Sequence, residues 1–242
     1  MIKEFLFILI LAASNIIQTI TGFAGGPLAM PPAIALLGLS DARAAITLIF
    51  WFSTLIVTFQ NLKYVNWKKL GIILFFMSIG VVFGLWVYDY CPVQYLMLLY
   101  GIIVVLIGFK KLLVKQTREL PVPVTYLALF ASGIMQAMFT SGGPFLVIYA
   151  TAAMKDKKEF RATVSSIWTV LNIFLAFQMY QKGMYTPYVN RLVFITMIPV
   201  FAAIYAGNKI SRRLNQEAFL KLVYILLILS GGILIVNYFT GS

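Results

Sequence analysis

Gln18 and Gln136 stand 118 residues apart, and each precedes a similar run of small residues. Thr21, Gly22, Gly25, Gly26 and Pro27 follow the first, and Thr140, Ser141, Gly142, Gly143 and Pro144 follow the second. A glutamine amide both donates and accepts hydrogen bonds, paired glycines let a backbone reverse sharply, and proline suits a first helical turn, where its missing N–H costs nothing. A helix that begins at such a break presents free N–H groups and the positive end of its dipole. Together these groups make a neutral, donor-rich cage that fits a small oxyanion and serves a cation poorly. The candidate ligands are Gln18, Thr21, Gly25 and Gly26 with Gln136, Thr140, Ser141, Gly142 and Gly143. Thr54 and Asn172 join them, because they keep the same 118-residue offset. Arg43 and Arg161 share that offset too, and in this reading they draw anions in at opposite mouths. Plainer roles compete: glutamine as a bond between helices, proline as a kink, arginine as an interface anchor.

Other chemistries are missing. The chain has no histidine and one cysteine, Cys91, no Asp or Glu lies inside an apolar stretch, and the one Lys that does, Lys221, lies at the very start of its stretch. Paired carboxylates, a Ser/His/Asp set and metal-ligand spacings are absent, so neither an enzyme nor a carboxylate proton relay is expected. No cofactor and no metal is implied.

The elements that carry the two breaks must sit in a bilayer. Hydrophobic residues make up 62% of the 242 and charged residues 11%, with a mean hydropathy of +0.94. That is too apolar for one soluble core. Long apolar segments fall at 5–22, 43–60, 70–88, 94–109, 124–140, 162–180, 191–207 and 219–238. About 20 helical residues cross the hydrocarbon core. Two pieces, from Pro27 to Leu39 and from Pro144 to Met154, are too short to cross and read as re-entrant half-helices. The expected fold is all-α and polytopic: two repeats, each a helix plus half-helix hairpin followed by three transmembrane helices. The first repeat covers 1–113, a cytoplasmic linker 114–123, and the second repeat 124–242, forming one membrane domain. Three net crossings per repeat invert the second against the first.

Charge placement supports that topology. Fifteen of the 19 Lys and Arg fall in 61–69, 110–123, 155–161 and 208–218 with Lys221, which puts those loops in the cytoplasm and both termini in the periplasm. The net charge of +12 is therefore read as topology and lipid attraction, not nucleic-acid binding. The start of the chain, with Ala12-Ala13-Ser14, mimics a cleaved signal, yet it is the repeat partner of 125–140 and is expected to stay as the first helix. Gly80-x3-Gly84 and Ala203-x3-Gly207 read as packing stripes, and Trp51, Trp67, Trp86 and Trp168 as belt or packing residues.

The duplicated Gln-helix, Gly-Gly-Pro, short apolar piece and small-residue-plus-Arg start resemble the TauE/SafE group of the 4-toluene sulfonate uptake permease family, from about residue 6 to 238. Pro31 fits that family's pattern, whereas Ala24, Ser141 and Ile148 depart from it. The resemblance implies transport of sulfite or organosulfonate-like oxyanions across the bacterial inner membrane. The reading is a small-anion transporter that works by alternating access. Its partners are a small anionic substrate and membrane lipid; a coupling ion and the oligomeric state stay open. A passive anion channel and a non-transporting scaffold subunit are the alternatives.

Overall fold

The computed structural model describes residues 2–88, 93–113 and 121–240, which are almost wholly helical, with no strand among them. The first five helices are α1 Ile2–Thr21, α2 Gly25–Leu37, α3 Leu39–Asn61, α4 Trp67–Tyr88 and α5 Val93–Leu113. The next five are α6 Val122–Phe139, α7 Gly143–Ala153, α8 Lys157–Gln181, α9 Pro187–Arg213 and α10 Gln216–Thr240. Cys91 and residues 114–120 of the expected linker, Lys115 and Arg118 included, lie outside the described residues. Seven helices among the described residues are long and apolar enough to cross a membrane: α1, α3, α4, α6, α8, α9 and α10. The eighth segment expected from the sequence is α5, at 21 residues. With 13 and 11 residues, α2 and α7 span only about 20 and 17 Å, well short of a crossing.

Local chemistry sets the boundaries. Asp156 caps α8 by accepting from the N–H groups of Lys158 and Glu159, both at 2.9 Å. Thr186 caps α9 through the Val189 N–H, with Pro187 at the first helical position. Gly38 ends α2 at φ +81°, a left-handed geometry that costs glycine least.

The helices pair in a self-consistent pattern. α1 packs on α9 and α6 on α4, while α3 lies against α8 and α5 against α10. Exchanging the first five helices with the last five maps this pattern onto itself. The seams that hold the two glutamine-bearing helices are made of small residues. A Cβ added to Gly80 would lie 2.1 Å from the Phe130 carbonyl oxygen, and one on Gly133 2.1 Å from that of Met77. On the other side, a Cβ on Gly207 would meet Thr19 Cβ at 2.7 Å. Both stripes expected from the sequence thus let backbones approach closely, fixing α6 on α4 and α1 on α9. Phe194, Ile198, Phe201 and Tyr205 form an exposed apolar ridge on α9, at helical spacing, as a lipid-facing surface requires.

Candidate substrate site

Each break opens with a left-handed residue, Gly22 at φ +87° and Thr140 at φ +51°, 118 positions apart. Thr140 therefore takes the place of Gly22 and not of Thr21. Left-handed geometry costs an L-residue about 1–2 kcal/mol, so the surroundings must hold Thr140 there. One neighbour is Thr47, whose hydroxyl lies 3.4 Å from that of Thr140.

Each glutamine straps its own break. Gln18 Oε1 accepts from the Gly25 N–H at 2.8 Å, and Gln136 Oε1 accepts from the Gly142 N–H at 3.0 Å. The other ends differ. Gln18 Nε2 donates to the Gly22 carbonyl at 3.0 Å, which also accepts from Trp168 Nε1 at 2.7 Å. Gln136 Nε2 donates to Asn172 Oδ1 at 2.7 Å. Pro27 and Pro144 have no N–H, so Gly26 and Gly143 carry the donors left over at the two half-helix starts. The cage therefore has fewer free donors than the sequence suggests, because one N–H at each break is already used by glutamine.

The two breaks touch. A Cβ on Gly26 would lie 2.5 Å from the Thr140 carbonyl oxygen, and one on Gly143 2.8 Å from that of Phe23. Between them is a cavity of about 10 Å³, the size of one water, lined by Gln18, Gly26, Gln136, Thr140, Gly143 and Asn172 together with three aromatic residues. Those six are among the residues singled out from the sequence; the others lie off the cavity. Thr21 donates to the Ile17 carbonyl and accepts from the N–H groups of Phe23 and Ala24, so it shapes the turn. Gly25 and Gly142 pack on Ser14 and Ser132, and Ser141 is buried in the second break. Thr54 donates to carbonyls of its own helix, at Phe50 and Trp51. The aromatic residues Phe23, Phe50 and Trp168 were not foreseen as lining. Phe50 and Trp168 are themselves 118 apart, and that offset was the available signal.

The arginines are placed unequally. Arg43 is 3% exposed, and its Nη2 donates at 2.6 Å to the Ala137 carbonyl, in the last turn of α6. Last-turn carbonyls have no partner within their helix, so this bond caps α6 from α3. Arg43→Met should lower protein stability by about 1.5–3 kcal/mol, as the loss of a buried bond to a charged group does. Thermal unfolding in detergent reads it; an unchanged midpoint would show that the bond does not hold the end of α6. Arg161, by contrast, reaches Asn208 and Ser211 on α9 and borders a vestibule of about 940 Å³. Lys63, Lys157, Lys158, Lys209 and Arg212 line the same vestibule, and no acidic residue among the described ones does. Glu159, close by, is engaged with Lys69 at 2.8 Å and Asn66 at 2.9 Å, tying α4 to α8.

The sequence has counterparts among known proteins. Residues 6–234 match the family model described as "Sulfite exporter TauE/SafE". A curated relative, the "Probable inner membrane transporter protein TsaS" of Comamonas testosteroni, is 24% identical over 174 residues, which cover 71% of this chain and 73% of that protein. No solved structure matches. The expectation drawn from the duplicated motif is therefore borne out: this multi-pass membrane protein belongs to the TauE/SafE sulfite exporter family.

Proposed function

We propose that this protein carries a small oxyanion of the sulfite or organosulfonate class across the bacterial inner membrane, binding it between the two helix breaks. One observation carries the reading: both half-helix starts and both glutamines converge on a single cavity near a vestibule walled by cations. The sulfur chemistry rests on the family description and on the relative's transporter name. At about 10 Å³ the cavity must expand to admit any oxyanion. A carrier cycle includes that step, whereas a continuously open channel does not.

The arginine pair supports alternating access. Arg43 docks on the carbonyl of Ala137, across the interface between the halves. The counterpart carbonyl for Arg161, 118 residues earlier, belongs to Thr19, and Arg161 bonds to Asn208 and Ser211 instead. In this reading the vestibule side is open and the Arg43 side is shut, with the halves exchanging these roles during transport. The vestibule gathers basic helix ends that the positive-inside rule assigns to the cytoplasm, which supports the reading that both termini face the periplasm and the two halves are inverted.

Counterflow in proteoliposomes tests the function. External sulfite should accelerate release of preloaded radiolabelled sulfite. Equal release with and without external anion would favour a channel, and no flux of any sulfur oxyanion would sink the proposal. Orientation is tested separately by single cysteines at Lys63 and Lys182 in a Cys91→Ser background. An impermeant maleimide applied to intact cells should label position 182 and should reach position 63 only after permeabilisation. Labelling of both positions from one side would end the orientation argument.

A further inference from the structure

Among the described residues, Arg161 is a buried cation without an acid. It is 8% exposed, and among those residues its two terminal nitrogens meet only the neutral side chains of Asn208 and Ser211, while its Nε has no partner. The ion pairs among the described residues are Lys69–Glu159, Arg191–Glu4 and Lys221–Glu217, none of which includes it. Arg212, a charge of the same sign, acts on it. A charge taken out of water without a counter-charge costs several kcal/mol, so an uncompensated guanidinium at the edge of a cationic vestibule has a strong demand for an anion.

Arg43 and Arg161 differ in where the guanidinium goes: Arg43 donates to the Ala137 carbonyl at the end of α6. The Arg161 backbone carbonyl lies 3.4 Å from where a Cβ on Gly22 would sit, and Thr19 packs against Gly207, the neighbour of Asn208. The end of α1 is thus next to Arg161, yet the guanidinium points to α9 and the vestibule.

We propose that Arg161, with Ser211, Asn208 and Arg212, forms an oxyanion-docking site in the vestibule, separate from the cavity between the breaks. A guanidinium flanked by a hydroxyl and an amide recognises a compact oxyanion through directed N–H and O–H donors. That chemistry belongs equally to a dissolved sulfur oxyanion and to a lipid phosphate, which could enter past Tyr205 from the exposed face of α9. The role of this site as an entry station rests on the proposed function; its existence rests on the unpaired charge alone.

Phenylglyoxal modification of Arg161, read by peptide mass spectrometry with exposed Arg213 as internal reference, tests it on the whole protein. In delipidated, detergent-solubilised protein, replacing chloride by sulfate at constant ionic strength should slow modification of Arg161 about fivefold and that of Arg213 less than about twofold, as occupancy of one site predicts. Protection found only in phosphatidylglycerol nanodiscs, without sulfate, would uphold the site and assign it to lipid phosphate. Protection in neither medium would overturn it. The double variant Gln18→Ala/Gln136→Ala should lose transport and keep the protection. If protection disappears with the glutamines, the vestibule site does not exist. Protection that persists in a protein that carries no sulfur oxyanion would sink the transport reading and leave this site standing.

Discussion

Gly26→Ala and Gly143→Ala should each cut transport to about a tenth of normal or less, with protein still present in the membrane. The added methyl on residue 26 would sit 2.5 Å from the Thr140 carbonyl oxygen, and that on residue 143 2.8 Å from the Phe23 carbonyl oxygen. Both obstacles are backbone atoms, so no side-chain rotation relieves the clash. The two breaks must move apart, at a cost of about 1–3 kcal/mol for overpacking, and the separation carries both free N–H donors off the cavity. A loss of about 1.4 kcal/mol in transition-state stabilisation already gives tenfold. Gly71→Ala is the control, because nothing lies within 4 Å of a Cβ at that position. Initial uptake rates per reconstituted protein decide the matter. Normal transport by Gly26→Ala would mean that the meeting of the two breaks is not where substrate binds.

Gln136→Leu should harm the protein more than Gln18→Leu, although the sequence presents the two residues as equals. Removing the Gln136 amide leaves the Gly142 N–H without its acceptor and Asn172 Oδ1 without its donor, both buried. Each orphaned group costs about 1–3 kcal/mol. Removing the Gln18 amide deprives the Gly25 N–H of its acceptor, but the Gly22 carbonyl keeps the Trp168 indole at 2.7 Å. In the milder Gln→Ala pair, anion binding should weaken about 5- to 30-fold, equivalent to 1–2 kcal/mol. Titration of purified protein with sulfite gives the affinity, and thermal unfolding gives the structural cost. Equal losses in the two leucine variants would remove the indole from the account.

The same contrast shows what the sequence could reveal. A break announces itself in glycine and proline types, and a crossing announces itself in a run of apolar residues; both are local, and the helices fall on those segments with ends that differ by up to six residues. Spacing by 118 also exposed the polar pairs, and it holds one more that the polar motif alone does not suggest, Phe50 with Trp168. What spacing cannot carry is which atom of a side chain is already engaged. Thr54 and Asn172 occupy matching positions, yet only the amide reaches Gln136, while the shorter hydroxyl bonds back to its own helix. The placement of Arg43 was likewise hidden, because its partner is a backbone carbonyl 94 residues away, on another helix. A vestibule is hidden for the same reason, since its walls come from the end of α3 and the turn after it, the start of α8 and the end of α9.

The pairing of α1 with α9 also sets a clock on biogenesis. α1 ends at Thr21, and the helix that covers its small-residue seam does not begin until Pro187. At about 5–20 residues per second the ribosome needs on the order of ten seconds or more to deliver that partner. During this interval the newborn α1 carries Asn15, Gln18 and Thr19, which are buried in the finished protein, and the Gly207 surface that covers Thr19 is not yet made. Lipid offers these groups no hydrogen bonds. The first helix must therefore wait inside the insertion machinery or against a transient neighbour. A nascent chain stopped before α9 would be the form most exposed to quality-control proteolysis.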